Sequence, residues 1–438
     1  MMPRLSAADA AALVGSRDRL VIPLGTGQPK TFLHALGERD DFRELRVFGG
    51  LLTDLFTVFT RPGVELLSGF FGPVERGLRA AGHCVAFVPA DFRRFTRIAR
   101  EFAPRVVATA GAPPDAEGHI SLSLHAGATV EEIQAVSRDP DRLLVVETSP
   151  HLPRTFGLPP EHTHSVHVDQ VDAWIESEMQ PLALDEAPPN AAERAIAEHV
   201  CALVPESATL QTGIGAIPSQ VAHRLAEGSG GSYGIHSEMF STGLMELHLA
   251  GKVSNQKGLY DGVSITTFAL GSRRLYDWLD AQEAVRFLPV ALVNDPARIA
   301  RNRNMVTING ALALDLAGQV VADTLGGAQY SGIGGHEDFV AGGGFEAGDI
   351  SLVCLPSTAE SAGEMHSRIL AELPAGSIVT TPRHQLDVVV TEFGAARLAG
   401  LSGPARAAAL AEIAHPRFRG ELREAALGGR VAAAPSAR

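Results

Sequence analysis

Short, almost wholly apolar runs alternate with amphipathic stretches along the chain, as in Arg105-Val106-Val107-Ala108-Thr109-Ala110 and Arg142-Leu143-Leu144-Val145-Val146-Glu147. Runs this apolar suit strands covered on both faces, and their alternation with helical patterns predicts parallel sheets flanked by helices, an α/β fold. The segment Leu182 to Asn190, with Pro188-Pro189, interrupts the pattern before a helical stretch from Ala191 to Leu203. A boundary is expected there, dividing the chain into residues 1–185 and 190–438. At 438 residues the chain is also too long for a single hydrophobic core.

The two halves share a weak signature. Val21-Ile22-Pro23-Leu24-Gly25-Thr26-Gly27-Gln28-Pro29 leads into Lys30 to Leu36, and Ala208 to Pro218, through Gly213-Ile214-Gly215-Ala216-Ile217, leads into Ser219 to Leu225. Both read strand, Gly-x-Gly turn, proline near the first helical turn, then helix. Such a turn can aim backbone N–H groups at an anion, but plain strand-to-helix punctuation looks the same, and neither copy fits the full dinucleotide fingerprint. A denser glycine cluster runs from Gly326 through Gly332, Gly334 and Gly335 to Gly344, followed by the apolar Ser351 to Leu355. Glycine permits close backbone approach, so this loop is a candidate to present N–H donors to a ligand oxygen.

Composition narrows the class. Hydrophobic residues make up 45% and charged residues 20%, with 45 glycines and 27 prolines, which suits a loop-rich globular enzyme. A formal net charge of -13 argues against a general nucleic-acid surface. Cys84, Cys201 and Cys354 are far apart in apolar runs and read as reduced core residues. No apolar run approaches the ~18 residues of a membrane span, and no signal peptide is visible, so no membrane association and a cytoplasmic location are expected. Histidine spacings such as His162-Thr163-His164 lack further ligands, and no metal is expected. His236 and His336 read as hydrogen-bonded structural histidines.

The most informative acid is Glu238, in Gly234-Ile235-His236-Ser237-Glu238-Met239-Phe240-Ser241-Thr242-Gly243, held among small and apolar neighbours before a helical run. A carboxylate so placed is either a buried structural acid or a nucleophile.

Taken in order, Gly213-Ile214-Gly215-Ala216-Ile217-Pro218, His236-Ser237-Glu238-Met239, Asn309-Gly310-Ala311-Leu312, Gly332 to Phe339, Ser357-Thr358-Ala359, Val379 to Arg383, Val390 to Ala396 and Ile413 to Pro416 resemble the acetyl-CoA hydrolase/transferase family, the class I CoA-transferases that include 4-hydroxybutyrate and acetate CoA-transferases. The resemblance implies two open, mainly parallel-sheet α/β domains with the active site between them. It implies Glu238 as covalent nucleophile, Asn294 and the Gly335 N–H as oxyanion donors, and Gly213, Ile214, Gly215, Ala216, Ile217 and Gly335 as contacts of CoA. It also implies acyl-CoA and small carboxylic acids as substrates and CoA as a substrate with no tightly bound cofactor; a homodimer is expected as the commonest default for a soluble oligomer. Transfer of CoA is the leading expectation; hydrolysis of acyl-CoA by the same glutamate, or a non-catalytic ligand-binding protein of the same fold, are the alternatives. Glu360 stands in or near the place where family members commonly carry a CoA-holding lysine, so Arg368, Arg383 or another basic group would have to compensate. Ser241-Thr242-Gly243 and His336 depart from the family's frequent Asp and Gln.

Overall fold

The computed structural model describes residues 4–184, 188–213, 215–344 and 346–428. The apolar runs form two open sheets. The first holds seven strands in the order Val85–Phe87, Val64–Ser68, Glu44–Gly49, Arg17–Val21, Val106–Gly111, Leu143–Thr148 and Ala173–Glu176, all paired in parallel. Its interior strands Val106–Gly111 and Leu143–Thr148 are buried at every position, as their mainly apolar sequences suggest, and the buried Glu147 accepts hydrogen bonds from the Thr31 and Phe32 amides and the Ser177 hydroxyl. The second holds Gly234–Ile235, Thr209–Thr212, Met305–Gly310, Ile350–Cys354, Val388–Thr391 and Gly394–Arg397, parallel except for the final hairpin.

Both sheets reverse direction beside the strand that leads into a Gly-x-Gly turn. From Arg17–Val21 the chain builds outward on one side and then returns to place Val106–Gly111 on the other; Thr209–Thr212 is likewise flanked by Gly234–Ile235 and Met305–Gly310. Ligand crevices of open α/β sheets open at such reversals, beyond the carboxyl ends of the strands. Ile350–Cys354, which follows the second glycine cluster, is an interior strand between Met305–Gly310 and Val388–Thr391.

The expected helices form at Lys30–Gly37, Ala191–Cys201 and Ala216–Glu227. Asn190 accepts from the Glu193 amide while the Glu193 carboxylate accepts from the Asn190 amide, a reciprocal cap that starts its helix sharply after the prolines. The helices Ala216–Glu227 and Thr242–Leu249 pack so closely that a Cβ on Gly243 would stand 2.6 Å from the Ala222 Cβ.

One expectation is corrected. Cys354 is buried and Cys201 intermediate, but Cys84 is exposed. It precedes Val85–Phe87, the edge strand of the first sheet, where no further strand covers it.

Candidate active site

Glu238 lies in a short link between two minor parallel pairings. His236 bridges to Ile265, and Met239–Phe240 pairs with Phe268–Ala269. The Glu238 carbonyl accepts from the amides of Thr267 (2.9 Å) and Phe268 (3.2 Å) and from the Thr266 hydroxyl (2.9 Å), so its backbone is tied at three points. Ser237 fastens the link to the second sheet: its hydroxyl donates to the Thr212 carbonyl at 3.1 Å and accepts from the Thr212 amide at 3.3 Å. The end of the strand that opens the Gly213 turn is thereby held beside the residue preceding Glu238.

The carboxylate meets two of the groups singled out in the sequence. Asn294, at the C-terminal end of the helix Val290–Val293, donates from Nδ2 to Glu238 Oε2 at 2.5 Å. Gly335 comes so close that an added Cβ would lie 2.0 Å from Glu238 Oε2 and 2.5 Å from Asn294 Nδ2. No other residue fits there. Gly334, at φ 56°, occupies the left-handed region and turns the loop over the carboxylate. The same amide nitrogen of Asn294 also donates to Asp338 Oδ2 at 3.0 Å.

The first half of the chain closes this site. The Phe92 amide donates to the Gly334 carbonyl at 3.1 Å, a Cβ on Gly332 would strike Phe70 at 2.6 Å, and Arg93 pairs with the fully buried Asp338 at 2.7 Å.

Burial sets the electrostatics. It pushes the Glu238 carboxyl up to about 8, opposed by the Asn294 hydrogen bond and reinforced by the charge on Asp338. Burial likewise pushes Asp338 up to about 7, opposed by Asn294 and Arg93. Each carboxylate raises the cost of ionising the other, so the pair titrates as a unit. His236 and His336 are held down to about 4, chiefly by burial, and are neutral at pH 7. His236 Nε2 faces the Val293 carbonyl (2.8 Å) and its Nδ1 the Asn302 amide (3.0 Å), while His336 Nε2 meets the Thr381 hydroxyl (2.8 Å). Both are bonded within the protein frame, as their sequence context suggests.

Of the proposed CoA-contacting residues, Gly213, Gly215, Ala216 and Ile217 are partly or fully exposed at the start of the helix Ala216–Glu227, and a Cβ on Gly213 or Gly215 would meet nothing within 4 Å. Ile214 lies outside the described residues. Glu360 is exposed on the hairpin Thr358–Ser361/Glu364–Ser367, Arg383 is exposed, and Arg368 is half-buried near Glu392.

Asp338 and Arg93 were not singled out as site residues by the sequence. An acid directly before the apolar Phe339-Val340 and one turn from Gly335 is a weak signal for Asp338, shared with its neighbour Glu337; nothing around Arg93 distinguishes it from its neighbour Arg94. Among the described residues no group of three or more His, Cys, Asp or Glu side chains could hold a metal ion, and no helix is long and apolar enough to cross a membrane.

A buried glutamate held against an asparagine amide and a glycine loop, in a chain of two open parallel-sheet layers, is an arrangement able to accept an acyl group. The chain belongs to the acetyl-CoA hydrolase/transferase family, and residues 271–426 match the model of that family's C-terminal domain. It is an enzyme of the CoA-transferase and acetyl-CoA hydrolase kind. The succinyl-CoA:cyclohexane-1-carboxylate CoA transferase of Geobacter metallireducens is 38% identical to it over 427 residues, which cover 96% of this chain and 94% of the relative. The 4-hydroxybutyrate coenzyme A transferase of Clostridium kluyveri is 38% identical over 310 residues, 70% of this chain and 69% of its own. Among solved structures, RipA from Yersinia pestis superposes with a TM-score of 0.88 at 32% identity over 96% of each chain.

Proposed function

We propose that the protein transfers CoA from an acyl-CoA to a small carboxylate through a covalent glutamyl-CoA thioester on Glu238. The observation that carries this reading is the Glu238 carboxylate at 2.5 Å from the Asn294 amide, in a space that Gly335 leaves open only by lacking a side chain. A Glu238 oxygen attacks the acyl carbonyl carbon, the C–S bond breaks, and CoA leaves as thiolate, giving an acyl-glutamyl anhydride. The thiolate then attacks the Glu238 Cδ and expels the acyl group as a carboxylate, leaving the thioester. An incoming carboxylate attacks the same carbon and releases the thiolate, which attacks the new acyl carbon; the products are the new acyl-CoA and the free Glu238 carboxylate. No redox change and no net proton transfer are required.

Each step builds negative charge on a carbonyl oxygen, where preorganised donors act most strongly. Asn294 Nδ2 and the Gly335 N–H fill that role, and the segment Gly213, Ile214, Gly215, Ala216 and Ile217, with Gly335, receives CoA. In this reading residues 1–185 and 190–438 form the two domains that enclose the site, and CoA is a substrate with no tightly bound cofactor beside it.

Hydrolysis uses the same residues with water as acceptor, and the family's name covers both outcomes. Free CoA released from acetyl-CoA is measured with and without added carboxylates. Slow release that gives way to acyl exchange when an acid is added supports transfer; full-rate release without an acceptor refutes it.

A further inference from the structure

We infer that Asp338 and Arg93 are positioning residues that fix the Asn294 amide toward Glu238, so that an ion pair reaching across from the first half of the chain completes the reactive site. The inference rests on the proposed role of Glu238.

The connection is continuous. Arg93, in the short 3-10 helix Phe92–Arg94, donates from Nη1 to Asp338 Oδ1 at 2.7 Å and from its backbone amide to Asp338 Oδ2 at 3.2 Å. Asp338 Oδ2 accepts from Asn294 Nδ2 at 3.0 Å, and the same nitrogen donates to Glu238 Oε2 at 2.5 Å. A primary amide has two N–H donors. Here both are committed to carboxylates, while Asn294 Oδ1 is buried with no partner among the described residues. The unpartnered oxygen is informative. Leaving a buried acceptor unmade is costly, and a half-turn of the amide would recover nothing, because it would press that oxygen against two carboxylates. Glu238 cannot supply this constraint alone, since in the reaction its oxygen becomes part of an anhydride and its carbon part of a thioester. Asp338 does not change during turnover and holds the amide facing the reacting carbon at every stage.

Arg93 keeps Asp338 in the form this requires. Asp338 has no side-chain exposure, and besides Arg93 the charged groups it interacts with are the acids Glu238 and Asp91. Without a cation it would favour the protonated form, which offers Asn294 a donor where it needs an acceptor. Arg93 is itself steadied by Asp91 at 2.9 Å and keeps 30% side-chain exposure, so replacing it opens no core.

The test uses Asp338→Asn, Arg93→Met and Arg93→Lys in the full-length enzyme. Asp338→Asn and Arg93→Met are each expected to lower kcat about 10- to 100-fold, less than the roughly 10²- to 10³-fold cost of removing a preorganised donor outright because Asn294 itself remains, with KM for acyl-CoA changed by no more than about twofold. Arg93→Lys keeps the charge and recovers most of the rate. Asp338→Asn also removes a negative charge that holds the Glu238 pKa up, so the acid limb of kcat moves to lower pH. A packing defect would not produce that shift. Wild-type kcat in Asp338→Asn or Arg93→Met overturns the inference, as does lost activity with an unmoved limb; if Asp338→Asn does not fold, the two Arg93 variants decide. Single-turnover labelling of Glu238 by acyl-CoA separates the two levels. An unlabelled wild type refutes the nucleophile, whereas wild-type labelling rates in the variants refute only the positioning.

Discussion

Two turns in this protein have the same local sequence plan and the same topological address, yet opposite surroundings. Gly25–Gly27 follows the strand at the reversal of the first sheet, and Gly213 to Gly215 follows the strand at the reversal of the second. In the first, all three residues are buried, the Thr26 hydroxyl donates to the Ala269 carbonyl at 3.0 Å, and a Cβ on Gly27 would lie 2.8 Å from the Cβ atoms of both His125 and Pro23. In the second, space around Gly213 and Gly215 is open. A glycine can be required because the protein itself fills the space, or because the space is kept for another molecule. The first turn is used to pack the two halves together, and the second is the one with room for the CoA of the proposed reaction. Gly335 belongs with the filled kind, but what fills its space is the Glu238 carboxylate, the proposed nucleophile.

This distinction can be broken by substitution. The largest effect is expected at Gly335→Ala, whose methyl would overlap Glu238 and Asn294: kcat falls by more than about 10³-fold, roughly 4 kcal/mol of barrier, on top of an overpacking cost to stability of about 1–3 kcal/mol. At Gly27→Ala the cost falls on stability. Overpacking against His125 and Pro23 is expected to cost about 1–3 kcal/mol, seen in the denaturant midpoint, while KM for CoA substrates stays at its wild-type value. Gly215→Ala does the reverse. It raises KM for acyl-CoA about tenfold, the 1.4 kcal/mol scale of one weakened contact, and with φ at 127° adds a modest strain to folding. If Gly215→Ala left KM unchanged and Gly27→Ala raised it, the assignment of the two turns would be inverted.

A pH series sharpens the same contrast. The nucleophile must be ionised, so kcat/KM is expected to fall as pH drops through the raised Glu238–Asp338 titration, near 7 to 8, far above an ordinary glutamate. The linkage has the opposite sign for folding. A folded-state pKa above the unfolded value lends stability that is present at low pH and lost as pH rises toward 8. Glu238→Gln is therefore expected to be inactive but more heat-stable than wild type at pH 8, with the gain fading toward pH 5.

The sequence carried more of this than a single chain often does, for identifiable reasons. Strands such as Val106–Gly111 are apolar throughout because both faces are covered, so their type was readable. Asn190 announced its helix through its own side chain and that of Glu193. The two glycine turns could not be told apart, because what closes the first is His125, about a hundred residues away. Arg93 was silent for the same reason: its partner Asp338 is brought to it only by the meeting of the two halves. Cys84 misled because apolar neighbours predict burial only where another strand follows, and here the sheet ends.

The central claim is that Glu238 becomes covalently attached to CoA. The enzyme is incubated with an acyl-CoA, reduced with borohydride and digested, and the peptide containing Glu238 is weighed, with Glu238→Gln as control. The account predicts conversion of the Glu238 carboxyl to a hydroxymethyl group in the wild type alone, dependent on acyl-CoA. An unmodified Glu238 peptide from an enzyme that is turning over would contradict it.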